Sequence, residues 1–366
     1  MCYNVVMQNR GYAFDKSLEA FRAFGEALQG SLFPSLEAEI GNLDKAHRDF
    51  VAICAAVHGD FPAAKFAWCG NGKPPVSRWS YFKAYMAKAK WNFRTTGALI
   101  GELAARPVLR RLCGFKDAGD IPAESTFSRV FALFDADETV QKVFAKFIAR
   151  TFDGALIHHA SIDAMAVHAR EKPAAPATGS PKSGSRLETQ PQRGADENLR
   201  ELPTPCDVGV KRNSKGFKES WRGYKLHLAV ADGDIPVAMW LTSASLHDSQ
   251  VAIPLMQKAA GVCPSLYHLL DAAYDAAPIR DYSRTIGSVP IIPANPRRLG
   301  VGNAPEFEPD RAERFKNRSA VERVNSHLED GHGGRSVYVR GHGKVFLHLA
   351  FGVLVIAVEQ VLKLLE

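Results

Sequence analysis

The sequence predicts a mixed α/β domain preceded by an all-α N-terminal region. Three observations carry this prediction. Up to about residue 150, apolar residues recur at helical spacing. At Ala155 the texture changes to strand-like runs. From there the elements follow the order strand, two hairpin strands, helix, strand, helix, strand, helix.

In the N-terminal region, Phe14 to Leu32 and Leu43 to His58 read as helices, and Gly70-Asn-Gly-Lys-Pro-Pro75 punctuates the chain. A further helical run starts near Val76 and breaks at Thr95-Thr-Gly. Ala98 to Cys113 follows, closed by Gly114. Phe127 to Phe152 reads as one or two amphipathic helices, with Ser125 or Thr126 as caps. The expected first domain is therefore 1–152.

The expected second domain is 153–366. Its first strand runs from Ala155 through Asp163 to His168. Residues 171–205 are rich in Pro, Gly, Ser and Ala and read as a disordered or loosely ordered insertion. Gly223 to Ala231 and Ile235 to Thr242, joined by Asp232-Gly-Asp, read as a hairpin. Asp248 is expected to cap a helix from Ser249 to Ala260. Ser265 to Leu270 is a short apolar strand ending at Asp271, followed by a helix over Ala276 to Ile286 and a strand at Val289-Pro-Ile-Ile-Pro. A helix spans about Ala312 to Leu328, and the closing helix begins near Lys344. This order matches an RNase H-like mixed sheet whose first strand is separated from the hairpin by an insertion.

Composition narrows the partners. Of the 366 residues, 46% are hydrophobic and 23% charged, and the formal net charge is +7. That balance describes a chain with a substantial core and a preference for anionic partners, nucleic acid first and anionic membrane second. The first ten residues lack a long apolar core, so no signal peptide is expected. The greasy run Leu349 to Val358 is short of the ~20 residues that span a bilayer, so no membrane partner is expected. The six cysteines form no C-x-x-C pair, which suits free thiols in a reducing cytoplasm. The histidines show no zinc-ligand spacing such as H-E-x-x-H, so a zinc site is not expected.

Three acids are candidates for chemistry. Asp163 lies in an apolar strand, where a carboxylate is costly without a partner or metal; the rival reading is a solvent-facing acid. Asp271 closes an apolar strand, where open α/β sheets place their ligands. Its rival Asp275 reads as a helix cap. Glu322 lies on a helix with Arg318, Asn325 and Glu329 on one face; the rival reading is a solvated i, i+4 pair of Arg318 and Glu322. Three such acids suit hard divalent cations, with no unusual titration required. Lys211, Arg212, Lys215, Lys218, Arg222 and Lys225 form a basic run containing one acid, Glu219, and Arg335, Arg340 and Lys344 follow the Glu322 helix. Such cations fit a phosphodiester backbone or an ordinary basic surface.

These segments together resemble the DDE transposases of bacterial insertion sequences. Trp221-Arg-Gly-Tyr-Lys-Leu-His-Leu-Ala-Val and Leu241-Thr-Ser-Ala-Ser-Leu-His-Asp-Ser249 look like the family's hairpin and following helix. Leu269-Leu-Asp-Ala-Ala-Tyr-Asp275 resembles the segment carrying its second acid, and Arg318 to Glu329 the segment carrying its third. Val337-Tyr-Val-Arg-Gly-His-Gly-Lys-Val-Phe-Leu-His-Leu resembles its tail. The resemblance implies catalytic and metal-binding roles for Asp163, Asp271 and Glu322, with two Mg²⁺ (or Mn²⁺) ions as cofactors. It implies DNA cleavage at the element's terminal inverted repeats and strand transfer into target DNA. The expected protein is a homodimer in the DNA complex, bacterial, cytoplasmic and nucleoid-associated. DNA contacts are expected from Lys211, Lys215, Arg222, Lys225, Arg318, Arg340 and Lys344. One branch of the family carries a signature helix of Tyr, two residues, Arg, three residues, Glu, six residues, Lys. Arg318 and Glu322 match it, whereas Phe315 replaces the tyrosine and Glu329 the lysine. A non-catalytic DNA-binding relative and a nuclease of the same fold are the alternatives.

Overall fold

The computed structural model describes residues 19–20, 22–174, 183–212, 217–295 and 308–364. The strands are β1 (Ile157–His168), β2 (Asp207–Arg212), β3 (Lys218–Ala231), β4 (Ile235–Ser243), β5 (Ser265–Leu269) and β6 (Val289–Ile291). The helices of the N-terminal region are α1 (Phe33–Ile40), α2 (Lys45–His58), α3 (Arg78–Lys90), α4 (Thr96–Ala105), α5 (Pro107–Cys113), α6 (Glu124–Ala136) and α7 (Thr139–Phe152). Those that follow are α8 (Ser183–Thr189), α9 (Ala195–Arg200), α10 (Ser249–Ala260), α11 (Ala277–Thr285), α12 (Pro309–Phe315), α13 (Ser319–Gly331) and α14 (His342–Lys363).

The chain divides into two compact units. One holds Phe152–Ser326 and Val339–His342; the other holds residues 19–151, His327–Tyr338 and residues 343–364.

The first unit is the mixed sheet. Its order is β4-β3-β1-β5-β6, with β2 pairing the leading half of β3 on the same side as β4. β1 runs antiparallel to β3 and parallel to β5, and β5 runs parallel to β6. This is an RNase H-like sheet with flanking helices. The buried run Leu226 to Ala231 follows from the central place of β3, which has paired strands on both sides. At Gly223, β3 changes partner from β2 to β4 with φ +149, and a Cβ there would collide with the Val167 carbonyl. The β3–β4 turn uses Gly233 and Asp234 at positive φ, which Gly and Asp tolerate best. β2 is an addition to the expected elements. Its alternation is short and its outward Val208 and Val210 are exposed, so its sequence carries little burial signal.

Residues 171–205 depart from the expected loose insertion. Residues 175–182 lie outside the described range, but α8 and α9 pack on α10. Leu199 and Leu202 join Leu246 and Val251 in a small core against Trp240. Buried amides complete the seam: Gln190 Nε2 donates to the Gln250 carbonyl at 2.7 Å, and Asn198 Nδ2 to Gln257 Oε1 at 2.9 Å. Two leucines and paired amides supply what average composition hid.

The second unit is helical, and α14 belongs to it rather than to the sheet domain expected over 153–366. The ten-residue greasy run extends into a 22-residue helix, long and apolar enough to cross a bilayer. In the structure 78% of its most apolar window is buried. Being apolar on every face, it must be enclosed, and Phe82, Tyr85 and Phe131 surround its Phe351 at ring separations of 5.2, 5.5 and 6.5 Å. Some expected caps also differ: α6 starts at Glu124 with Ala123 as its N-cap, not Ser125 or Thr126.

Candidate active site

The site begins with strand register. β1 and β5 are parallel, and Ser161 pairs with Leu269. That is the last pair of the ladder; Asp163 lies two residues further along β1 and Asp271 two residues past the end of β5, near enough for its charge to act on Asp163. Leu270 separates Asp271 from the end of β5, which leaves the acid just beyond the strand's carboxyl end. Its carboxylate accepts the Ala273 backbone N–H at 2.8 Å and thereby caps the 3₁₀ turn Ala272–Tyr274.

The third acid arrives through a break in the expected helix. α12 and α13 are separated by a 3₁₀ turn, Lys316–Arg318, which sits on β1. The Ser161 hydroxyl donates to the Asn317 carbonyl at 3.3 Å. Two residues on, and so on the same face of β1, Asp163 accepts from Arg318 Nη1 at 3.1 Å. The Arg318 Nη2 donates to Glu322 Oε1 in the first turn of α13. One guanidinium therefore bridges Asp163 and Glu322 across 155 and four residues of sequence. Arg323 fixes the helix from its other side by a two-point contact with Asp234 at 2.6 and 2.8 Å.

Electrostatics distinguish Asp163. Its side chain is 22% exposed, yet it lies deep enough that burial pushes its pKa up to about 6. Arg318 and the Ala164 N–H, at 2.8 Å, oppose that rise, and the charge of Asp271 adds to it. The expectation of ordinary titration is thus corrected for this residue. Buried Tyr274 feels the same charges. Burial, then Asp248, Asp163 and Asp271, drive its hydroxyl far above the usual range, and among the described residues that hydroxyl has no hydrogen-bond partner. Tyr274 lies inside the 269–275 motif, but a tyrosine after an acid gives no pattern that predicts its burial.

Other placements differ from expectation. Asp275 does not cap α11. It pairs with Arg280 at 2.7 Å and accepts the Asn295 N–H at 2.8 Å. Asp248 makes no side-chain capping bond; it pairs with Lys225 at 2.8 Å. Lys225, 13% exposed, also donates to the Leu246 carbonyl, so its ammonium is engaged inside the fold rather than offered to DNA. Arg318 is likewise held by acids. Lys211, Arg222, Arg340 and Lys344 are exposed, and Lys215 lies outside the described residues. The three acids are not a tight ligand set: among the described residues, the group with ligand atoms within 4.8 Å of one another is His327, His332 and Glu359.

The donor chemistry nevertheless fits hard cations. The site offers carboxylate oxygens, and a built-in cation, the Arg318 guanidinium, already lies between two of them. The sheet is RNase H-like, with Asp163 within β1 and Asp271 just past the end of the neighbouring parallel strand β5, an arrangement compatible with the DDE class of transferases. The Transposase DDE domain model matches residues 159–357, and the Transposase domain (DUF772) model matches residues 42–133. The first match covers more than half of the chain, which belongs to the DDE transposase family of insertion-sequence type. The family generally uses divalent metal ions. No curated protein and no solved structure matches the chain.

Proposed function

We propose that the protein cleaves DNA at the terminal inverted repeats of its own element and joins the ends to target DNA. Asp163, Asp271 and Glu322 are the catalytic acids and hold two Mg²⁺ or Mn²⁺ ions. What supports this reading is that Arg318 bridges Asp163 and Glu322, and that Asp271 lies near enough for its charge to act on Asp163. When bound, the ions activate the attacking oxygen and stabilise the leaving one. The chain's own part is to supply unprotonated carboxylates and a rigid strand edge, and to free Asp163 and Glu322 from Arg318. Lys211, Arg222, Arg340 and Lys344 offer exposed cations to the DNA backbone. The helical region recognises the element's ends or forms the dimer, and the protein acts on the bacterial nucleoid in the cytoplasm.

The test is Asp271→Asn, assayed for end binding and nicking with Mg²⁺ or chelator. Nicking should be lost while end binding stays within about twofold, because binding rests on the basic residues. Nicking at the wild-type rate would remove Asp271 from the site. End binding by wild-type protein without cleavage under any divalent ion would favour the non-catalytic reading. Cleavage without joining would favour a nuclease.

A further inference from the structure

In the helical unit, far along the sequence from Asp163 and Asp271, lies a second group of metal-binding side chains. His327 and His332 sit at the C-terminal end of α13 and just beyond it, and Glu359 sits on α14. The two imidazole Nε2 atoms face one another at 3.3 Å, with the rings nearly perpendicular at 86°. His332 Nε2 is 3.6 Å from Glu359 Oε2, and all three ligand atoms lie within 4.8 Å of one another. A tetrahedral zinc ion with ligands at about 2.0–2.1 Å sets neighbouring ligand atoms roughly 3.3 Å apart. Two edges of the observed triangle are close to that spacing.

The surroundings support the match. Lys90 Nζ holds Glu359 Oε1 at 2.5 Å and leaves Oε2 turned toward His332. His332 is buried, with 4% of its surface exposed. All three side chains line a cavity of about 940 Å³. Cations are also present on that wall, Lys45, Arg48 and Lys363 besides Lys90, with Asp49 as a second acid. A soft-to-borderline ion is therefore needed, because imidazole nitrogens hold it by bonds that a bare Mg²⁺ does not form well.

The geometry points to a transition-metal site, of Zn²⁺ type, formed by His327, His332 and Glu359, with its fourth position open to the cavity. Sequence spacing hides the site, because the two histidines are five residues apart and the third ligand comes from another helix. It is separate from the Mg²⁺ chemistry proposed for the acids of the sheet, and neither depends on the other.

The experiment uses the full-length protein, stripped with chelator and titrated with Zn²⁺ and with Co²⁺ in excess Mg²⁺. Wild type should take up one equivalent and give the visible absorption of a tetrahedral Co²⁺ ion without thiolate charge-transfer bands. His327→Asn and Glu359→Gln should each weaken uptake at least about tenfold, while Asp271→Asn leaves it unchanged. Should a variant fail to fold, wild type alone decides: Zn²⁺ added in the presence of saturating Mg²⁺ should raise the melting temperature further and protect His327 from diethylpyrocarbonate, which Mg²⁺ alone should not do. Equal Zn²⁺ uptake by wild type and both variants, a thiolate spectrum, or no protection of His327 would overturn the site and leave a hydrogen-bonded His–His–Glu cluster.

Discussion

Asp163 shows how much a single carboxylate can differ from its sequence-based expectation. Its apolar neighbours in the chain suggested cost, and the fold supplies it: a pKa pushed up to about 6 by burial, with Asp271 adding to the rise. Between the unfolded value near 3.8 and about 6 the folded chain binds more protons, so ionisation of Asp163 destabilises the fold as pH rises through that window. Asp163→Asn should therefore raise the melting temperature of metal-free protein at pH 7. The gain in stability should be at most about 3 kcal/mol, the free-energy equivalent of that rise in pKa. The same protein should be inactive in cleavage. A melting temperature below wild type would mean that Arg318 more than offsets the burial. Metal uptake should also weaken as pH falls below about 6, since a protonated Asp163 is no ligand; a Mn²⁺ titration across pH 5–8 reads this directly.

At the scale of elements, the β2–β3 pair separates cations that are exposed from a cation that is engaged inside the fold. Lys211 and Arg222 are exposed on it, whereas Lys225, further along β3, is locked to Asp248 and the Leu246 carbonyl. Replacing Lys211 and Arg222 together by Ala should flatten the salt dependence of DNA binding by ~0.9 in log–log slope for each phosphate no longer neutralised. Lys225→Met should leave that slope unchanged and instead lower stability by about 1–3 kcal/mol, because Asp248 is left without its partner. A reduced slope for Lys225→Met would place its ammonium on the DNA after all. The hairpin turn and the strands β3 to β6 were legible from alternation and turn residues. β2 was not, because an edge strand with exposed valines lacks the buried alternation that marks the others.

For the molecule as a whole, buried histidines set the acid limit. Burial holds His227 and His268 in the sheet unit at about 4, and His332 and His348 in the helical unit at about 4 and about 3. Their unfolded values lie near 6.5, so between pH 6.5 and 4 the unfolded chain binds more protons and stability falls as pH drops. Each group contributes up to about 1.4 kcal/mol per pH unit in that window. Asp163 works in the opposite direction, but it is one group against four. Thermal melts from pH 7 to 4.5 should show a steep loss in both units. A flat profile would mean that these rings are solvated and titrate normally.

Sequence by itself determined the order of most elements, the change from helical to sheet texture near residue 152 and the family, and it nominated the three acids. Those are carried by local periodicity and by motifs within a few residues of one another. Tertiary structure decided what distance along the chain conceals. Arg318 reaches Asp163 across 155 residues, Lys225 turns inward to Asp248, and α14 joins the helical unit although it follows the sheet in sequence. His327, His332 and Glu359 likewise meet only because separate helices bring them together. The physical reason is common to all of these. A charge or a ligand atom acts over a few ångströms of space, and only packing fixes which residues lie within that range.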